Sequence, residues 1–73
     1  MIIKEYYKGK NSEEHQVFAD NGTHIGTILK TKNTKTETYP WQALKGCLLI
    51  GSFFEKDGKQ RAANALLTHY EGM

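Results

Sequence analysis

The stretch HQVFADNGTHIGTILKT, residues 15–31, decides the fold. Its Asn21-Gly22 pair separates two runs rich in β-branched and apolar residues, and Asn-Gly readily takes the two left-handed central positions of a type I′ turn. We therefore predict a β-hairpin with this pair at its tip. Alternation along the second strand predicts two faces, with Ile25, Thr27 and Leu29 on one and His24, Gly26, Ile28 and Lys30 on the other.

Three further runs have the composition of strands. Residues 2–7 are predicted as an edge strand, followed by a polar loop over residues 8–14. Residues 36–44 form the next strand, which Pro40 interrupts or ends because proline lacks an N–H. After a tight turn at Lys45-Gly46, residues 47–54 are apolar on both faces. We expect this last strand to be central and covered on both sides, with Cys47 as a small buried hydrophobe.

The C-terminal residues predict one helix. Asp57 and Gln60 have the spacing of a capping box, and Gly72 is a stop signal. An apolar stripe of about three turns joins them, formed by Ala62, Ala63, Ala65, Leu66, Leu67 and Tyr70. Its alanines allow close approach to the sheet, which we expect at Gly51. The predicted class is α+β: one domain, residues 1–73, with an antiparallel meander of three to five strands and one C-terminal helix on one face.

Composition narrows the functional classes. The chain has 73 residues and a net charge of +2, from 10 Lys and Arg against 8 Asp and Glu. So small a domain favours binding on a surface over catalysis in an enclosed cleft, and its mild basicity permits nucleic-acid binding. A single cysteine excludes an internal disulfide and favours a cytoplasmic setting. We find no signal peptide and no apolar run of membrane-spanning length, so no membrane partner is expected.

The basic stretch Lys-Thr-Lys-Asn-Thr-Lys, residues 30–35, is predicted as a turn between two strands. Lys30, Lys32 and Lys35 at a hairpin tip are able to reach phosphates, and Lys45 adds a cation at another turn. The alternative is an ordinary solvated turn, because charged turns are common on protein surfaces.

Tyr39 and Trp41 lie two residues apart and therefore share a strand face. On an exposed face they would stack on bases or anchor a protein partner. On a covered face they belong to the core, and the need of a small domain to bury its only tryptophan favours this alternative.

Metal binding and catalysis have little support in the pattern. The three histidines and Cys47 lack ligand spacing, although His24 is expected near His15 across the hairpin. The polar cluster Glu13-Glu14-His15 offers no nucleophile with a positioned base. We therefore predict no cofactor, no metal site and no catalytic residues, and a protein that is not an enzyme.

Residues 25–70 resemble two families of DNA-binding domain. Trp41-Gln42-Ala43, then Leu49-Ile50-Gly51-Ser52-Phe53, then a helix with Ala62-Ala63, is similar to the plant AP2/ERF domain and to the arm-binding domains of phage and transposon integrases. The resemblance implies a three-stranded sheet that reads the DNA major groove. Members carry several arginines on that sheet, whereas this chain has only Arg61, in the helix. The brevity of the chain also resembles that of small phage or prophage accessory proteins.

Two functions follow as hypotheses. The first is DNA binding through a sheet face and the basic turn, carried by Lys30, Lys32, Lys35, Tyr39, Trp41 and Lys45. The second is a protein-binding accessory or inhibitory module, because a row formed by Leu48, Ile50 and Phe54 needs a cover. The N-terminal strand, a protein partner or a second copy in a homodimer would each supply one, and the N-terminal strand is favoured. A continuous positive surface would favour the first hypothesis, and an uncovered apolar patch the second.

Overall fold

A computed structural model describes residues 1–31, 40–54 and 56–72 of the chain. Its elements follow in the order β1 (Ile2–Lys8), β2 (Ser12–Phe18), β3 (His24–Thr31), β4 (Trp41–Lys45), β5 (Leu48–Phe53) and α1 (Gly58–Glu71). Each strand pairs antiparallel with its sequence neighbour, so the sheet order is β1-β2-β3-β4-β5. The predicted α+β meander with a C-terminal helix is confirmed, and β1 is an edge strand as predicted.

The β2–β3 hairpin forms, but its turn begins one residue earlier than predicted. The amide of Gly22 donates to the carbonyl of Ala19 at 2.9 Å, and the amide of Ala19 donates to the carbonyl of Thr23 at 2.8 Å. Asp20 and Asn21 are therefore the central residues of the turn, and Gly22 follows in the left-handed region at a φ of 89°. This is a three-residue hairpin loop closed by a glycine bulge, not a type I′ turn.

Strand β3 departs from the predicted alternation near its start. His24 and Gly26 both have partners on β2, whereas Ile25 between them has none and forms a bulge. A bulge lets neighbouring residues turn toward the same side of a sheet. Ile25 and Ile28 accordingly both lie in the core, at 4% and 0% exposure. The prediction that they face opposite sides is wrong.

Helix α1 packs mainly on β3, β4 and β5, and the core lies between them. One place of close packing is Gly26, where an added Cβ would lie 2.6 Å from Cδ2 of Leu66 in the helix and 2.7 Å from the carbonyl oxygen of Leu44 in β4. Gly51, the predicted contact, would meet only the ring of Phe53. Within residues 1–31, 40–54 and 56–72, the buried apolar side chains are those of Val17, Ala19, Ile25, Ile28, Trp41, Ala43, Ala62, Ala63 and Leu66.

The ends of the helix agree with the predicted positions but not with the predicted cap. Asp57 precedes the first turn, yet its side chain makes no capping hydrogen bond. Its carboxylate instead accepts a hydrogen bond from Nε of Arg61 at 2.9 Å, and Gln60 donates to Asn64 at 3.0 Å. The capping box is therefore wrong, because both of its side chains bond to residues one turn further on. Gly72 ends the helix as expected.

The apolar run 47–54 is not the central strand, and that prediction is wrong. β3 is central, whereas β5 lies at the edge opposite β1, so β1 does not cover it. Leu48 is 56% exposed and Leu49 50%, and Cys47 is exposed in the turn before them. Ile50 packs against the core, so the predicted row is divided. An apolar pattern does not distinguish a strand covered on both faces from one covered on a single face.

Gly26→Ala tests the close packing of β3 against Leu66 of the helix and the backbone of β4. The added methyl group would overlap a backbone oxygen that has little freedom to move, so we expect the free energy of unfolding to fall by about 1–3 kcal/mol. Urea denaturation measures the change. Gly72→Ala is the matched control, since an added Cβ there would lie at 3.4 Å from its nearest neighbour. Equal losses of unfolding free energy in the two variants would contradict close packing at Gly26.

Candidate functional site

Two of the predicted nucleic-acid-binding residues lie together. Trp41 is opposite Lys30 in the β3–β4 register, and Nζ of Lys30 lies 5.4 Å from the centroid of the Trp41 ring. The indole also meets the ring of His15, with centroids 5.8 Å apart and the two planes tilted. Trp41 is only 7% exposed and belongs to the core, as the favoured alternative predicted. It therefore leaves little ring surface on which a base could stack.

The remaining predicted residues do not join this pair. Lys45 ends β4 at the far end from Trp41, about 13 Å along the strand at the usual rise per residue. Lys32, Lys35 and Tyr39 lie outside the described residues, together with most of the predicted basic turn and the first part of the predicted strand 36–44.

The β1–β2 turn brings Lys10 close to Lys30. The predicted loop 8–14 is shorter in the structure, because the amide of Gly9 donates to the carbonyl of Ser12 at 2.8 Å and β2 begins there. Ser12 pairs with Thr31, so this turn lies beside the end of β3. A shallow depression results, lined by Gly9, Lys10, Asn11, Ser12, Glu13 and Lys30. Sequence reasoning missed it, since the pairing of β1 with β2 had not been predicted.

A second cluster lies on the helix side of β1 and β2. His15 pairs with Glu5 across the strands, and Glu13 lies two residues before His15 on the same face. One oxygen of each carboxylate and one ring nitrogen of His15 all lie within 4.8 Å of one another. The Glu-x-His spacing of Glu13 and His15 is visible in the sequence. The approach of Glu5 depends on the register between β1 and β2.

The histidine of this cluster is buried and bonded. His15 is 3% exposed, and its Nε2 lies 2.5 Å from Oε2 of Glu13. This hydrogen bond lowers the pKa of Glu13 below its ordinary value of 4.5, and burial opposes the shift. The positive charges of Lys8 on β1 and Lys59 on α1 lower the pKa further. The charged form of Glu13 is therefore favoured by its hydrogen bond and by lysines on two other elements of the fold.

His24 lies on the other side of the sheet, so its predicted proximity to His15 is wrong. Its ring nitrogen is 2.5 Å from Oε1 of Gln16, which also accepts from Thr27 at 3.1 Å. The ring of Phe18 meets His24 edge-on, with centroids 5.3 Å apart. Alternation explains the separation, because Gln16 and His15 are neighbours on β2 and point to opposite faces.

The edge of the sheet at β5 is apolar and open. We call the outer side of residues 46–54 the β5 edge; none of these residues is charged. No strand of the described part of the chain pairs with it. Leu49 is opposite Leu44 on the face away from the helix, and Leu44 is in turn opposite Thr27 on β3. Leu48, Leu49 and Phe54 are exposed at 56%, 50% and 65%.

Comparisons with known proteins give no family for the chain. No family model, no curated protein and no solved structure matches it. The resemblance to AP2/ERF and integrase arm-binding domains therefore stays a prediction. Among residues 1–31, 40–54 and 56–72, no helix has the length and apolar character needed to cross a membrane.

Glu13→Gln tests the bond between Glu13 and His15 in metal-free buffer. Folding lowers the pKa of Glu13. The bond therefore contributes its full stabilisation of the fold at pH values above the unfolded-state pKa. This contribution is lost as the pH falls through the folded-state pKa. We expect the substitution to lower the free energy of unfolding by about 1 kcal/mol at pH 7 and by much less near pH 3. Urea denaturation at several pH values measures the free energy of unfolding of the wild-type protein and of the variant.

The control is Glu14→Gln, the same change on the opposite face of β2. It is expected to alter the free energy of unfolding by less than about 0.5 kcal/mol at pH 7. A Glu13→Gln effect that is as large in acid as at neutral pH would contradict the role given to its charge.

Proposed function

We propose that the protein is a protein-binding module, which takes up an extended, uncharged segment of a partner chain as a sixth strand on the β5 edge. The observation that carries this proposal is the β5 edge itself, which is uncharged and exposes two leucines and a phenylalanine. Leu48 and Leu49 are consecutive in β5 and point to opposite faces, so an incoming strand would meet an exposed leucine on each face of this edge.

The backbone of β5 supports strand addition. An edge strand presents alternate N–H and C=O groups that no neighbour pairs, and an incoming extended segment supplies the missing partners. Main-chain hydrogen bonds then give affinity, while pockets between side chains give specificity. Leu44 and Leu49 form one apolar contact surface next to the edge on the face away from the helix.

The opposite edge is protected, so the two edges differ. β1 carries Lys4, Glu5 and Lys8, and its pairing with β2 is irregular between Glu5 and Tyr7. Charged residues and bulges are devices that natural proteins use to prevent pairing at an edge. The β5 edge contains a bulge at Ile50 but no charge. A partner segment with few charges suits this edge, because burying a charge against leucine is unfavourable.

A random-peptide display selection on the purified protein tests the proposal. Enriched peptides should alternate apolar residues and carry few charges, and Leu49→Lys should weaken their binding at least about tenfold, since lysine blocks an edge and removes an apolar contact. Fluorescence anisotropy with a labelled selected peptide measures the affinity. Leu49 is half exposed, so the fold is expected to tolerate this change.

Tyr6→Lys is the matched control, because it places the same charge on the other edge at a residue that is 71% exposed. It should leave peptide binding unchanged. A selection that enriches no peptide, or binding that responds equally to both substitutions, would overturn the proposal. Self-association that competes with the peptide and is lost in Leu49→Lys would identify a second copy as the occupant of the same edge.

Nucleic-acid binding is a second candidate, favoured by the lysines beside the β1–β2 turn. Lys10 and Lys30 line the depression, and Lys8 lies near enough to affect the pKa of Glu13. In the sequence, Lys32 and Lys35 follow directly after β3. Lysines grouped at one end of a domain suit the sugar–phosphate backbone, and such contacts carry no base specificity.

A salt titration of binding to a DNA duplex tests this second candidate. The affinity should fall steeply with salt, and Lys10→Ala should reduce the slope of the log–log plot by about one. Lys45→Ala, at the far end of the sheet, is the control and should leave the slope unchanged. Absence of binding at low salt, or equal effects of the two changes, would exclude phosphate binding at this end.

A further inference from the structure

We propose that Glu5, Glu13 and His15 form a binding site for a divalent transition-metal ion, with Zn²⁺ as the ion to test. The site lies on the helix side of β1 and β2, away from the β5 edge, and it does not depend on the protein-binding function. Sequence spacing alone predicted no metal site, because one of the three residues comes from a different strand.

Strand pairing brings the three side chains together. Glu5 is directly opposite His15, and Glu13 is next to His15 on the same face of β2. Their nearest donor atoms all lie within 4.8 Å of one another. Ligands about 2.1 Å from one zinc ion lie roughly 3.4 Å apart in a tetrahedral site, so changes of about 1 Å in side-chain position complete the arrangement. Glu5 is exposed and has the freedom to make such a change.

The donor set determines the class of ion. One imidazole nitrogen with carboxylate oxygens suits Zn²⁺ and other first-row divalent ions, whereas Ca²⁺ and Mg²⁺ prefer oxygen donors alone. Three protein ligands leave a fourth position for water. The exposed side of Glu5 leaves that position accessible from solvent.

The buried imidazole makes this cluster different from an ordinary group of surface carboxylates. His15 is 3% exposed, its ring packs against Trp41 at 5.8 Å, and its backbone is held between β1 and β3. Its Nε2 already points to a carboxylate at 2.5 Å. One ligand is therefore fixed before the ion arrives, which lowers the entropic cost of assembling the site.

Neighbouring cations set a limit on the affinity. Lys8 and Lys59 act on Glu13, and their positive charge opposes that of an incoming ion. The ion must also displace the hydrogen bond between Glu13 and His15. We therefore expect a dissociation constant in the micromolar range, on the order of 10 μM, instead of the tighter binding of a structural zinc site.

Isothermal titration calorimetry of untagged, metal-free protein with ZnCl₂ tests the site. A Cys47→Ser background removes the exposed thiol as a competing ligand. We expect one ion per chain, and Glu5→Gln should weaken binding at least about tenfold without unfolding the protein. Glu14→Gln and His24→Ala, which change the same residue types on the opposite face, should leave the affinity unchanged.

Paramagnetic broadening of NMR signals by Mn²⁺ shows independently where the ion binds. Amide signals of Glu5, Glu13 and His15 should broaden first in the wild-type protein and remain sharp in the Glu5→Gln variant. The proposal is overturned if no saturable binding of either ion occurs below about 1 mM, which corresponds to a binding free energy near −4 kcal/mol. It is equally overturned if His24→Ala removes the binding and Glu5→Gln does not.

Discussion

The close packing of helix α1 on β3, β4 and β5 is the constraint on which the other surfaces depend, and it is seen where Leu66 lies against Gly26 and where Gly58 lies against Trp41. An added Cβ at Gly26 would lie 2.6 Å from the leucine side chain, so no larger residue fits without a shift. Ala43, Ala62 and Ala63 are fully buried in the same core cluster as Leu66. Small residues on both sides allow the helix to come close, and dispersion contacts and apolar burial then stabilise that arrangement.

One helix is too narrow to cover this sheet. A helix is about 10 Å across, whereas the outer strands of a five-stranded sheet lie roughly 19 Å apart. Helix α1 has 14 residues and packs mainly on β3, β4 and β5. The helix-side surface of β1 and β2 is therefore only partly covered by the helix, and the polar cluster of Glu5, Glu13 and His15 lies there. The face away from the helix has no cover among the described residues.

The sequence predicts the local structure well because its signals are local. The glycine and asparagine of residues 21–22 predict the hairpin, and the alanine–leucine stripe predicts the helix. The features that depend on strand pairing were predicted wrongly or were not predicted. The bulge at Ile25, the edge position of β5 and the meeting of Glu5 with His15 all follow from registers between strands. The residue pattern of one strand does not specify which other strand it pairs with.

Residue-resolved amide hydrogen exchange of the dilute protein tests the central claim most directly, namely that β5 is an open edge. Amides of the central strand β3 should be strongly protected, and alternate amides of β5 should exchange rapidly, because only half of them have a partner on β4. Protection that is uniform along β5 and equal to that of β3, at every protein concentration, would contradict the account. Such a result would show that β5 is covered on both sides, as its apolar sequence suggests.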